Sequence, residues 1–151
     1  MRLIGVVLLI GLLSLPLKAS DPIVGTWVLD VKKSTFHPGP PPRSQTRVYR
    51  ESAEGIIATV VTLGDDGRST TVEYPVNYDG QTHPVTGSSE IDQIEMKRVS
   101  PARAESTLLH AGRVIATVVR EVTGSNTLVI TSEGLGDNGT PVRNVSVYTR
   151  K

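Results

Sequence analysis

Turn signals recur along this chain at short, regular intervals: Glu54-Gly55, Asp66-Gly67, Asp79-Gly80, Gly87-Ser88, Ser100-Pro101, Ala111-Gly112, Gly124-Ser125-Asn126 and Asn138-Gly139. Most are about 8–13 residues apart with runs rich in Val, Ile and Thr between them, the pattern of an all-β sandwich or barrel of short strands. Asp-Gly and Asn-Gly favour tight hairpins, because primed turns need positive φ and Gly or Asn adopts it at least cost. The spacing predicts strands at approximately 23–30, 45–53, 56–63, 68–77, 81–86, 89–99, 104–111, 113–123, 127–134 and 142–150. No segment after residue 20 carries a helical period. Alternation puts Val72, Tyr74 and Val76 on one face and Thr71 and Glu73 on the other, as in a half-buried strand. The runs Ile56–Leu63 and Val114–Val119 are apolar or Thr-like on both faces, so their outer sides are either covered or exposed and β-branched.

Strands joined in sequence leave two unpaired edges, and closing the meander into a barrel removes both. A sandwich would want long crossovers, and the one long connection runs from Val31 to Ser44. Its Pro38-Gly39-Pro40-Pro41-Pro42 cannot form an ordinary helix, since proline removes donors and clashes with helical carbonyls. It is expected to be a semi-rigid loop lying over one end. The expected fold is therefore all-β: a single antiparallel up-and-down barrel of about 8–10 strands.

Residues 1–20 stand apart from this pattern. Met1 and Arg2 lead into an apolar run from Leu3 to Leu17, followed by Lys18-Ala19-Ser20. The run is shorter than the roughly 20 residues of a membrane-spanning helix and reads as a secretory signal peptide cut after Ala19 or Ser20. The expected organisation is a signal peptide over 1–20 and one barrel domain over 21–151, secreted or periplasmic. The chain has no cysteine, so neither a lipidated thiol nor a disulfide is possible and the core alone must hold the fold. Sixteen Lys and Arg against 15 Asp and Glu give no basic footprint, and six aromatics offer little stacking surface, so nucleic acid is not an expected partner.

Gly25-Thr26-Trp27 sits in the first predicted strand, and Tyr148-Thr149-Arg150 ends the last. This resembles the calycin superfamily, the lipocalins and fatty-acid-binding proteins, in which a Gly-x-Trp on the first strand packs beneath the barrel near an arginine of the closing strand. The resemblance implies a guanidinium stacked on an indole to seal one end, with Gly25, Trp27 and Arg150 as barrel-closing residues. Small secreted bacterial lipocalin-like proteins resemble the chain more closely. The shared features are Gly25-Thr26-Trp27-Val28-Leu29-Asp30, Lys33-Ser34-x-Phe36, the proline loop, Tyr78-Asp79-Gly80, Pro84-Val85-Thr86-Gly87 and Asn144-Val145-Ser146-Val147-Tyr148-x-Arg150. The helical pair that lids fatty-acid-binding proteins has no counterpart, and their Arg-x-Tyr carboxylate anchor is reversed, with Tyr148 preceding Arg150.

A barrel of this kind binds ligands in a mostly apolar cavity with a few placed polar groups. The candidate lining is Leu29, Tyr74, Met96, Leu108, Val118, Arg120 and Tyr148. On the last strand either the polar set Asn144, Ser146, Tyr148 and Arg150 or the pair Val145 and Val147 points inward. His37, His83 and His110 are scattered without metal-ligand spacing, so no metal or other cofactor is expected. No Gly-x-Ser-x-Gly elbow or phosphate loop is present. Glu73, Glu95, Glu105, Glu121 and Glu133 read as solvated outer positions, and no catalytic residue is assigned. The expectation is an exported monomer, not membrane-spanning after cleavage, that binds a small hydrophobic or amphipathic molecule. Two alternatives stay open: a side-chain-filled barrel acting through its surface as an envelope interaction module, and a cavity enzyme of isomerase or lyase type using Tyr74, Arg120 or Tyr148.

Overall fold

The computed structural model describes residues 19–136 and 138–151; nearly all of the expected signal peptide, residues 1–18, lies outside the described residues. Eleven strands follow in order: β1 (Gly25–Leu29), β2 (Thr35–His37), β3 (Ser44–Ser52), β4 (Gly55–Leu63), β5 (Ser69–Val76), β6 (Asp79–Pro84), β7 (Gln93–Ser100), β8 (Arg103–His110), β9 (Arg113–Thr123), β10 (Thr127–Leu135) and β11 (Pro141–Arg150). Ten of them form one antiparallel wall in the order β5-β4-β3-β1-β11-β10-β9-β8-β7-β6, and β2 pairs with β11 off this path. Most predicted hairpins are present, because most turns supply the Gly or Asp chemistry that a two-strand reversal needs, with Pro101 serving instead at the β7–β8 reversal.

The wall is nearly closed. Its two end strands, β5 and β6, are consecutive in the chain, yet they share only the bridge between Glu73 and Thr86 just beyond β6, with N···O distances of 3.0 and 2.9 Å. Gly87 permits that approach. It has φ of +83°, and a Cβ there would stand 1.9 Å from the carbonyl oxygen of Thr71.

Two segments depart from the predicted strands. The 31–44 connection is not one loop. Its start is a 3-10 turn (Val31–Lys33) capped by Asp30, whose carboxylate accepts the Lys33 N–H at 3.2 Å. It continues into β2, where the His37 N–H also donates to Asn144 Oδ1 at 3.2 Å. The strand expected from residue 89 begins only at Gln93, because Ser88 Oγ takes the Glu90 and Ile91 amides at 3.1 Å each and holds that stretch as a turn. The open question over Ile56–Leu63 and Val114–Val119 resolves at Val61 and Val114, which are exposed on the outer wall.

Trp27, Tyr49, Ala58, Val76, Ile94, Met96, Ala104, Leu128 and Tyr148 are buried inside the barrel. Ile23 and Trp27, with Val122 and Leu128, fill one end and close it. Among the described residues no helix is long and apolar enough to cross a membrane.

Candidate functional site

Above that filled end the barrel encloses a cavity of about 610 Å³, within the range of small-molecule pockets. A barrel packed solid by its own side chains is thus not what this sequence builds. Leu29, Tyr74, Met96, Leu108, Val118, Arg120 and Tyr148 all border the cavity. Asn144, Ser146 and Tyr148 face it as well, so β11 turns its polar set inward and the Val145/Val147 alternative falls. The mouth is formed by Phe36, Pro40 and Pro42 of the proline segment, by Gly64 and Asp65 of the β4–β5 turn, and by residues 87–91.

Sequence reasoning drew β3, at 45–53, but missed its inward face, which shapes the interior most. On β3 the inward positions are Gln45, Arg47 and Tyr49, all cavity-lining. Val48, which a hydrophobicity rule would place inside, is 36% exposed on the outer wall. Only Tyr49 signalled the true phase, through its period-2 spacing from Arg47 and Gln45.

Arg47 donates through Nε to Tyr148 Oη at 3.0 Å and Gln45 Oε1 at 3.2 Å, and through Nη1 to Tyr74 Oη at 3.4 Å. The Tyr148 hydroxyl in turn donates to Gln45 Oε1. The Tyr49 and Tyr74 hydroxyls lie 3.5 Å apart. On the far side of Tyr49, Arg120 places its guanidinium 5.4 Å from that ring and donates to Tyr78 Oη at 2.5 Å, with Met96 Sδ at 3.8 Å. Two guanidiniums therefore share one ring of phenols. Tyr78 hands the contact outward. Its hydroxyl donates to Asp21 Oδ2 at 2.8 Å, Asp21 pairs with Arg98, and Arg98 stacks over the Tyr78 ring at 3.9 Å.

These contacts shift the acidities. Burial pushes the Tyr49 phenol up, but the Arg47 and Arg120 guanidiniums beside it more than offset this and hold it below the ordinary tyrosine value. Burial, together with neighbouring Tyr49, raises Tyr74. Tyr78 is pushed up to about 12 by burial, with its hydrogen bond to Asp21 adding to the effect. Burial also opposes ionisation of Asp21, yet the Ile23 amide, the Tyr78 hydroxyl and Arg98 outweigh it and hold the carboxyl below its usual range.

At the closed end Arg150 lies 4.1 Å over the Trp27 ring. It donates to Val24 O at 2.6 Å, Pro22 O at 2.7 Å and Ser125 O at 2.7 Å, while the Trp27 indole N–H donates to Ile23 O at 2.7 Å. Gly25 makes room for this guanidinium rather than for backbone: a Cβ there would stand 2.5 Å from Arg150 Nη1. The histidines stay apart from the cavity, with His83 Nε2 at 2.9 Å from Asp79 and His110 at 3.8 Å from Asp92. Among the described residues no three His, Asp or Glu side chains are grouped to hold a metal.

No protein-family model matches the chain, and no curated protein matches its sequence. Among solved structures, the zebrafish ileal bile acid-binding protein complexed with cholic acid matches with a TM-score of 0.50. The match covers 86% of this chain and 99% of that one at 12% identity. The fold is calycin-like. At that identity the likeness concerns architecture. The contents of this calycin-like cavity, Arg47, Arg120 and their phenols, rest on the chain's own residues.

Proposed function

We propose that this is an exported calycin-like barrel that carries a small amphipathic molecule in its cavity. The observation that carries the reading is a 610 Å³ space walled by Leu29, Leu108, Val118 and Ile130 on its apolar sides and furnished at depth with hydrogen-bonding groups from Arg47, Arg120, Tyr49, Tyr74 and Tyr148. The apolar body of a ligand would gain about 25 cal/mol for each Å² removed from water, and the donors would orient its polar head. The structurally similar zebrafish protein was solved with cholic acid, an amphipathic molecule, which supports the same use of the barrel here.

The test is to purify the protein from its native host's envelope fraction, record a native mass spectrum, and extract it with organic solvent. A stoichiometric amphiphile on a chain that starts at Ser20 or Asp21 is the expected result. A barrel that leaves the host empty and takes up no alkyl probe in solution would defeat the carrier reading, and a chain still beginning at Met1 would defeat the export reading.

A further inference from the structure

The cavity carries two positive charges and no negative one at depth. Among the described residues its only acidic lining groups, Asp65 and Glu90, are exposed at the mouth. The partners of Arg47 are neutral, Gln45, Tyr74 and Tyr148, and those of Arg120 are Tyr78 and Met96. Asp21 approaches Arg120 only through the Tyr78 hydroxyl and is itself paired with Arg98, on the outer side of that ring. Taking a guanidinium out of bulk water costs more than hydrogen bonds to neutral phenols return, so two such groups inside one wall amount to a standing demand for anionic charge. The demand is also visible on Tyr49, which lies between the two arginines and whose ionised form both of them favour.

Spare donors point the same way. Among the described residues neither Arg47 Nη2 nor Arg120 Nε has a protein acceptor at hydrogen-bond distance, and both arginines line the cavity. A singly charged head group would leave one guanidinium uncompensated. A head group with two charges and several acceptor oxygens would engage both, with the free O–H of the Tyr49–Tyr74 pair donating to a remaining lone pair.

We propose that the cavity selects amphiphiles whose head group bears two negative charges, a phosphate monoester being the simplest such chemistry, held between Arg47 and Arg120. This rests on the reading of the cavity as an amphiphile site and names the class of head group it takes.

Calorimetric titration of the purified, delipidated protein with dodecyl phosphate, dodecanoate, dodecanol and inorganic phosphate tests it. At pH 8 dodecyl phosphate is expected to bind at least about tenfold more tightly than dodecanoate, the gain of one further charge-assisted contact. Its advantage should shrink as the pH falls from 8 through the second ionisation of the phosphate, about 6, while dodecanoate, whose carboxyl ionises well below that, serves as the control over the same range. Among the described residues the cavity lining contains no histidine to titrate there. Arg47→Met and Arg120→Met should each erase most of the preference for dodecyl phosphate while leaving dodecanol binding near its original strength, which also shows that the cavity still forms. Dodecyl phosphate binding no more tightly than dodecanoate overturns the dianion inference and leaves the carrier reading intact. Failure of all three alkyl probes overturns both. Inorganic phosphate binding as tightly as dodecyl phosphate keeps the dianion site but assigns it to a free oxyanion instead of a lipid-like head group.

Discussion

Arg150 closes the floor of the barrel with its whole guanidinium: one face on the Trp27 indole and its edges on the carbonyls of Pro22, Val24 and Ser125. The stack is useful because both partners are otherwise satisfied, the indole N–H by Ile23 O and the arginine by three carbonyls, so neither leaves a buried polar group unpaired. Trp27 is fully buried. Trp27→Ala should therefore cost about 3–5 kcal/mol, read as a fall in the midpoint of chemical unfolding. An unchanged midpoint would show that the floor is held without it. Asp21 supports the neighbouring part of the same floor through charge. Its carboxyl is held below the ordinary 3.8, so the stability it contributes is complete above that value and is lost as the pH falls through the depressed folded one. Wild type and Asp21→Asn should accordingly differ in unfolding free energy at pH 5 and above and converge on further acidification. Curves that run parallel down to the lowest pH would dismiss the role. Trp27 and Arg150 were legible through the resemblance, which pairs a Gly-x-Trp on the first strand with an arginine on the last. Arg47 was not, because nothing local distinguishes an inward arginine from a solvated one when the outward neighbours are Thr46 and Val48.

Strand pairing around the wall is uneven, and the thin place lies between β5 and β6. One bridge joins them, and it depends on Gly87 lying against the Thr71 carbonyl at a φ that side chains resist. Gly87→Ala should destabilise the barrel by more than about 1 kcal/mol, the strain of placing a Cβ where φ is positive, plus the clash. Hydrogen exchange locates the effect: the Glu73 and Thr86 amides should lose protection first while the β10–β11 ladder keeps its own. Equal loss over the whole wall would mean that this seam is no weaker than the rest. The turn signals made the hairpins on either side readable. They placed a turn at Gly87-Ser88 but did not disclose that it runs on to residue 92, where Ser88 outcompetes strand formation by accepting the Glu90 and Ile91 amides. Nor did they disclose β2, whose three residues pair only because β11 offers Asn144 and a free edge alongside them.

At the scale of the molecule, the regular turn spacing together with the need to hide strand edges is enough to specify a meander that curls into a barrel, and the nearly closed calycin-like fold is that outcome. Whether the inside is empty cannot follow from the same pattern, since it depends on which way β3 and β11 direct their polar residues, and a one-residue change of phase would reverse both. The cavity makes stability responsive to what fills it. An alkyl probe present at a hundred times its dissociation constant should raise the unfolding free energy by about 2.7 kcal/mol, measurable as a higher melting temperature, and a probe that binds outside the barrel would not be displaced by one that binds within. The first and last strands meet at the β1–β11 ladder, with the Lys151 amide donating to Thr26 O, whereas the backbone runs unbroken through Asn77 and Tyr78 across the β5–β6 seam. Covalent continuity thus lies where hydrogen bonding is thinnest, like a hinge sewn on one side. A circular permutant that links Lys151 to Asp21 and opens between Asn77 and Tyr78 would keep every ladder yet lose that stitch. It is expected to fold, and to release a bound probe faster than the natural connectivity does.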